Sequence, residues 1–264
     1  MKSVEWRLGT MGFSYADWRE VFYPSGMPPG EYLNFYAKHY NAVELDTTFH
    51  ATPPPDRVKR WRDATPADFK FTAKAPKLVT HALKLESAMA PIMEFLDVMR
   101  ELDSKLGVIL LQFAPSFTFD QFEKLRDFLR MLPADIRFAV ELRDRSWGRE
   151  ETLQMLKETK VAFVSAEYVS RPTRLPVTSD FLYIRWIGQH QRFPVMDHEQ
   201  IDVTPSLKWW ADELEQVSKR VAAIWGFFNN DYAGYAPATC NRFKQMIGQP
   251  VSEPTDPRQG RLFE

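Results

Sequence analysis

Cysteine is almost absent: the chain has one, Cys240. No intramolecular disulfide can form, and a lone thiol supports neither a redox pair nor a zinc cluster. A reducing, cytoplasmic setting is the expectation. Glycine is also scarce, at 11 of 264 residues, and no GxGxxG or GxxxxGK[ST] occurs. The loops that cradle nucleotide phosphates are therefore missing, and no nucleotide cofactor is read from the sequence. Charge of neither sign prevails, with 34 Lys and Arg against 35 Asp and Glu and a formal net charge of −1. That balance excludes a whole-surface polyanion binder and a highly charged disordered chain. The longest apolar runs, such as Val108 to Leu111, are far shorter than the ~20 residues of a membrane span, and the start MKSVEWRLGT has no signal-peptide core. A soluble protein without a membrane partner is expected.

Rings, in contrast, are plentiful: 20 Phe, 9 Tyr and 8 Trp within a composition that is 44% hydrophobic. Such content needs a sizeable core. Short apolar runs recur near Arg7 to Met11, Ala42 to Leu45, Phe69 to Ala73, Gly107 to Phe113, Phe138 to Leu142, Val161 to Ala166, Phe181 to Ile187 and Ala222 to Phe228. Between them lie helical stripes, such as Ile92, Phe95, Leu96, Met99 and Leu102, or Trp210, Leu214, Val217 and Val221. Thr204 before Pro205 reads as an N-cap, and Gly107 as the stop of a helix ending in Lys105 and Leu106. Eight strand–helix alternations in this length predict an α/β fold, a single (β/α)8 TIM-type barrel over residues 1–248. The connection between strands 6 and 7, with Pro172 and Pro176, reads as irregular. A doubly wound open sheet is the runner-up. Residues 249–264, rich in proline and polar groups, read as a flexible tail.

In such barrels the chemistry sits at the C-terminal strand ends. Glu44 and Asp46 end strand 2, Lys70 and Lys74 bracket strand 3, Gln112 ends strand 4, and Glu141 and Arg143 end strand 5. Tyr183 and Arg185 lie on strand 7, and Asn229, Asn230 and Asp231 end strand 8. Any one Glu–Lys or Glu–Arg pair is equally well explained as a structural ion pair. Five or more strands ending in charge or amide are what a ligand pocket needs. Phe13, Tyr15, Trp18, Phe49 and Trp147 fall near the same mouth, as lids or as surfaces for a base or sugar ring. The five histidines form no HxH or HExxH spacing. A metal is left open only as a spatial cluster of His50, His81, Glu44 and Glu141, and scattered histidines are the simpler reading. No GxSxG occurs.

Seven segments carry a family resemblance: GTMGFSYADWREVFYP (9–24), ELDTTFH (44–50), FKFTAKAPKLVTH (69–81), LLQFAPSF (110–117), AVELRDRSW (139–147), DFLYIRWIG (180–188) and GFFNNDYAGYAPATCNRF (226–243). In this order they resemble the YecE-like family, domain of unknown function 72. The resemblance implies a β/α barrel of unestablished activity. It marks as matching positions Tyr15, Trp18, Glu44, Thr48, Lys74, His81, Gln112, Glu141, Arg143, Trp147, Arg185, Asn229, Asn230 and Asp231. Departures are Asp46 and His50 within the family's ELNxTFY segment, and Ile187 where a histidine is common.

These readings converge on a hydrolase or lyase for a small or polymeric phosphorylated ligand. Lys74, Arg143 and Arg185 are expected to hold the anion, Glu44 or Glu141 to act as base, and His81 or Lys70 as acid. A glycosidase-like pairing of the two glutamates is the weaker variant, because strands 2 and 5 are far apart around a barrel. A ligand-binding barrel without catalysis is the non-enzymatic alternative. Separately, Gln259, Leu262 and Phe263 form QxxLF, which looks like the peptide that docks bacterial replication and repair proteins on the sliding clamp.

Overall fold

The computed structural model describes residues 4–83, 85–172 and 174–252. The apolar runs form eight strands: β1 Glu5–Thr10, β2 Ala42–Leu45, β3 Lys70–Lys74, β4 Leu106–Gln112, β5 Arg137–Glu141, β6 Ala162–Glu167, β7 Phe181–Trp186 and β8 Ala223–Phe228. All ladders are parallel, in the order β1-β8-β7-β6-β5-β4-β3-β2. The ends of that order, β1 and β2, meet through one parallel bridge, Met11 to Glu44, beside which Gly12 N donates to Glu44 O at 2.8 Å. Below the bridge the Tyr36 hydroxyl stands in for the ladder, accepting from Thr10 N at 2.8 Å and donating to Ala42 O at 3.2 Å. Gly9 makes this approach possible, since a Cβ there would lie 2.7 Å from the Tyr36 oxygen and 1.9 Å from Ala42 O. The expected barrel thus forms, with a single bridge and a phenol as its seam.

Helices α1 Tyr32–Tyr36, α2 Pro55–Asp63, α3 Met89–Met99, α4 Phe122–Met131, α5 Glu150–Thr159 and α6 Thr204–Ser218 occupy connections, and α7 Asn230–Ala233 and α8 Ala236–Met246 follow β8. Their apolar stripes face the sheet: Ile92, Phe95, Leu96 and Met99 in α3 are fully buried, as are Leu207, Trp210 and Leu214 in α6. Each such side chain contributes roughly 1.5–3 kcal/mol. Between β6 and β7 the described residues contain no helix, as the two prolines led one to expect.

Two boundary expectations are corrected. A 3-10 helix, Arg100–Lys105, does end at Lys105 as read, but Gly107 lies inside β4; a Cβ there would sit 2.5 Å from the Trp225 ring, which crosses the barrel from β8. Thr204 is the first helical residue of α6, and the Asp202 carboxylate accepts from its N–H at 2.8 Å.

The interior is built in layers. Ala42, Ala139, Ala162 and Ala223 leave room for Phe181 and Trp225 low in the barrel. Higher up the inward positions become Glu44, Gln112, Glu141 and Arg185, so polarity begins where the strands end. Among the described residues no helix is long and apolar enough to cross a membrane.

Candidate active site

β2, β5 and β7 are separated around the ring, but their inward side chains meet on its axis. Arg185 Nη2 donates to Glu44 Oε1 at 2.7 Å and Nε to Glu44 Oε2 at 3.1 Å, while Nη1 donates to Glu141 Oε2 at 2.6 Å. None of the three is more than 3% exposed. The Tyr183 hydroxyl donates to Glu44 Oε2 at 2.7 Å, backed by Thr72 Oγ1 at 2.9 Å. Glu141 Oε1 accepts from Gln112 Nε2 at 2.9 Å and from the Tyr168 hydroxyl. Buried charges persist only when paired and hydrogen-bonded in this way.

The same contacts push the two carboxyls apart in proton affinity. Burial raises Glu44 to about 7; Arg185 opposes the rise, and Asp46 adds to it. Glu141 is as deeply buried, but Arg185, Tyr168 and Gln112 outweigh burial and hold it below its ordinary value. One acid is therefore protonatable near neutrality beside one that stays ionised. Lys74 ends β3 with its ammonium 4.0 Å from the Phe49 ring centre, and burial lowers its proton affinity. His81, with Nδ1 2.8 Å from Thr80 Oγ1, is also lowered, first by burial and then by Lys74 and other cations.

Several expectations change with these positions. Arg185 does not face a ligand anion: Glu44 and Glu141 already bond it, and Asp46 Oδ1 lies 3.6 Å from Nη2. Lys70 begins β3 at the opposite, N-terminal end, where Nζ donates to Ser104 O at 2.6 Å, so it cannot serve as acid at the mouth. Parity put Lys70 on the same face as Lys74 but did not give the end. The separation argued against a Glu44–Glu141 pair also fails, because one guanidinium reaches both. Trp18 and Trp147 are at most 1% exposed, their indole N–H groups bound to Asn230 Oδ1 at 3.2 Å and Phe117 O at 2.7 Å, so they brace loops and offer a ligand no face. Thr48 Oγ1 is likewise engaged with the Leu45 and Lys74 carbonyls, at 2.8 and 2.7 Å.

Asn229 caps α7 by accepting from Asp231 N, and Asn230 Oδ1 also accepts from Ala236 N at 3.0 Å. Asp231 lies 3.3 Å from His190 Nδ1 through Oδ2, while its buried Oδ1 has no hydrogen-bond partner among the described residues. Tyr15 donates to Met11 O at 2.5 Å. His50, His81, Glu44 and Glu141 do not come together as a metal site; no group of three or more suitable side chains does so among the described residues. Gln259, Leu262 and Phe263 lie outside the described residues.

β5 and β6 are in register only at Ala139–Ala162 and Val140–Phe163. Beyond these pairs they part, and a cavity of about 590 Å3 reaches Glu141, flanked by Arg143, Ser165, Tyr168 and Arg174. Arg143 lies 5.0 Å from the Tyr168 ring centre. Tyr168 was missed because it stands in the irregular loop, where no periodicity points to it. Its one legible signal was a polar Glu167–Tyr168 pair at a strand end.

The family model described as "Protein of unknown function DUF72" matches residues 7–261. The chain belongs to the DUF72 family. The UPF0759 protein YecE of Escherichia coli K12 is 37% identical over 122 residues, a stretch covering 45% of this chain and 45% of that protein. The UPF0759 protein YunF of Bacillus subtilis is 30% identical over 92% of this chain and 96% of its own length. A DUF72 family crystal structure from Thermotoga maritima, 30% identical, superposes with a TM-score of 0.72 over 93% of this chain and all of that one. One from Enterococcus faecalis, at 22% identity and a TM-score of 0.73, shares the fold. The DUF72 relatives carry no assigned reaction in their names, so function rests on the geometry of the mouth.

Proposed function

We propose that this DUF72 barrel is a hydrolase or lyase acting at its C-terminal mouth on a ligand that carries a phosphate or similar anion. The observation that carries the reading is the sharing of one guanidinium by Glu44 and Glu141, with opposed proton affinities. Glu141 reaches the cavity and is the ionised member, which suits a general base. Lys74, whose ammonium has no carboxylate at hydrogen-bond distance among the described residues, serves as acid and, with Arg143, as anion holder. Glu44 is wholly buried behind Arg185 and acts as a positioning residue, fixing the guanidinium that in turn fixes Glu141.

The test is turnover across a panel of phosphomonoesters and phosphodiesters by the wild type and Glu141→Gln. Loss of a general base is expected to cost about 10²–10⁴-fold in rate. Full activity in a folded Glu141→Gln, checked by circular dichroism, would remove the mechanism. Ligand retention without any turnover by the wild type would mark a binding barrel instead.

A further inference from the structure

Across the ring from the β5–β6 cavity a second groove, of about 780 Å3, starts at Asp46 and Tyr15 and runs outward beneath α2. Half-buried Phe13, Tyr15 and Trp61 line it together with two exposed arginines, Arg57 and Arg60. Arg57, Arg60 and Trp61 stand at i, i+3 and i+4, hence on one face of α2, while Val58 faces the core. The other cations of this helix are engaged: Lys59 pairs with Glu101 and Arg62 with Asp63. Among the described residues Arg57 and Arg60 have no carboxylate at ion-pair distance. On the far side Arg143 and Arg174 border the first cavity, again without such a partner among the described residues. Guanidinium groups without a carboxylate partner thus flank the carboxylate centre on two sides, and rings line both: Tyr168 beside Arg143 on one, Phe13, Tyr15 and Trp61 beside Arg57 and Arg60 on the other.

The geometry points to single-stranded nucleic acid as the ligand class, lying across the mouth with a base on Trp61 or Phe13 and phosphates on Arg57 and Arg60, then on Arg143 and Arg174. This deepens the acid–base reading of the mouth and rests on it. Arginine forks match phosphate oxygens, and ring faces stack on any base. The strand must be single, because a duplex keeps its base faces covered. The near-neutral total charge agrees with a local contact: two basic rims suffice where a basic surface is absent.

The experiment is fluorescence anisotropy of labelled oligodeoxythymidylate against the full chain over a salt series, with inorganic polyphosphate and duplex DNA as competitors. Arg57→Ala/Arg60→Ala is expected to reduce the slope of log K against log salt by about 1.4, at roughly 0.7 for each phosphate no longer neutralised. Trp61→Ala is expected to weaken the oligonucleotide about tenfold and leave polyphosphate unchanged. An unchanged salt slope in the double variant overturns the groove, as does a Trp61→Ala loss equal for both polyanions. Duplex competing as well as single strand overturns the single-strand assignment. Glu141→Gln separates the two claims, since it is expected to bind the oligonucleotide as the wild type does while turnover disappears. Groove variants that bind normally overturn the groove even if Glu141→Gln is inactive, and an active Glu141→Gln overturns the acid–base reading even if the groove binds.

Discussion

The two ends of the barrel treat charge differently. At the N-terminal end three cations reach backbone carbonyls: Arg7, which also pairs with Glu5, reaches Asp68 O at 2.6 Å, Lys70 reaches Ser104 O at 2.6 Å, and Lys105 reaches Thr65 O at 2.6 Å. Each ties a loop to the strand beside it and meets acceptors that water would otherwise supply. At the C-terminal end charges finish on one another or on nothing. Arg185 joins two glutamates and has Asp46 Oδ1 at 3.6 Å; among the described residues Lys74 packs on a ring with no carboxylate at ion-pair distance, and the buried Oδ1 of Asp231 has no hydrogen-bond partner. Charge at one end ties loops to strands, and at the other it is gathered at the mouth of the barrel.

The largest test of that contrast is Arg185→Met. Both glutamates would be left buried without their shared cation, and breaking a buried pair typically costs about 3–5 kcal/mol. Urea unfolding is expected to show a loss of this size or failure to fold. Combining it with Glu44→Gln and Glu141→Gln should recover much of the loss, because the uncompensated charge is then gone. A stable Arg185→Met alone would mean that the centre does not hold the charges as described.

Second in size is a pH effect. The folded value of Glu44, raised to about 7 from 4.5, means that its contribution is fully present below pH 4.5 and is lost as pH rises towards 7. Glu141 is displaced the other way, so its contribution is present above 4.5 and is lost as pH falls through its lowered value. Between pH 4.5 and 7 Glu44 dominates this pair. Glu44→Gln is therefore expected to flatten the fall in unfolding free energy over that window, by on the order of 2–3 kcal/mol. Parallel wild-type and variant pH curves would contradict the raised value. In the proposed enzyme the same variant should also shift the pH–rate limb near 7.

Much of the contrast was legible in the sequence, and the part that was not has physical causes. Short apolar runs between amphipathic stripes gave the strands, because each strand must be covered on its outer face by a helix. Polar residues at strand ends gave Glu44, Glu141 and Arg185. Their mutual contacts were hidden, since sequence shows how far apart β2, β5 and β7 are along the chain, and the barrel axis makes that distance irrelevant. Strand parity likewise put Lys70 and Lys74 on one face without telling which end each occupies. Tyr168 sits in a loop with no repeat, and Trp61 falls at helical spacing from Val58, which reads as an apolar stripe packed on the sheet and hides its place beside Arg57 and Arg60.

The smallest expected effect separates the two ends most directly. Lys105→Met removes an ammonium that holds the Arg62 and Thr65 carbonyls and lies 3.2 Å from Thr65 Oγ1. Hydrogen bonds to a charged group contribute about 1.5–3 kcal/mol, so a loss of about 2 kcal/mol in chemical unfolding is expected, with the mouth unaffected. Lys74→Met removes a half-buried charge that, among the described residues, has no carboxylate at ion-pair distance and feels Asp46, Glu44 and Glu141 only from further off, and puts a hydrocarbon chain against Phe49. Its stability should stay within about 0.5 kcal/mol of wild type or rise, as for other sites where function opposes stability. Turnover is expected to fall in the same variant. A Lys74→Met protein destabilised as much as Lys105→Met would show that the upper lysine also holds the fold together, and the distinction between the two ends would collapse.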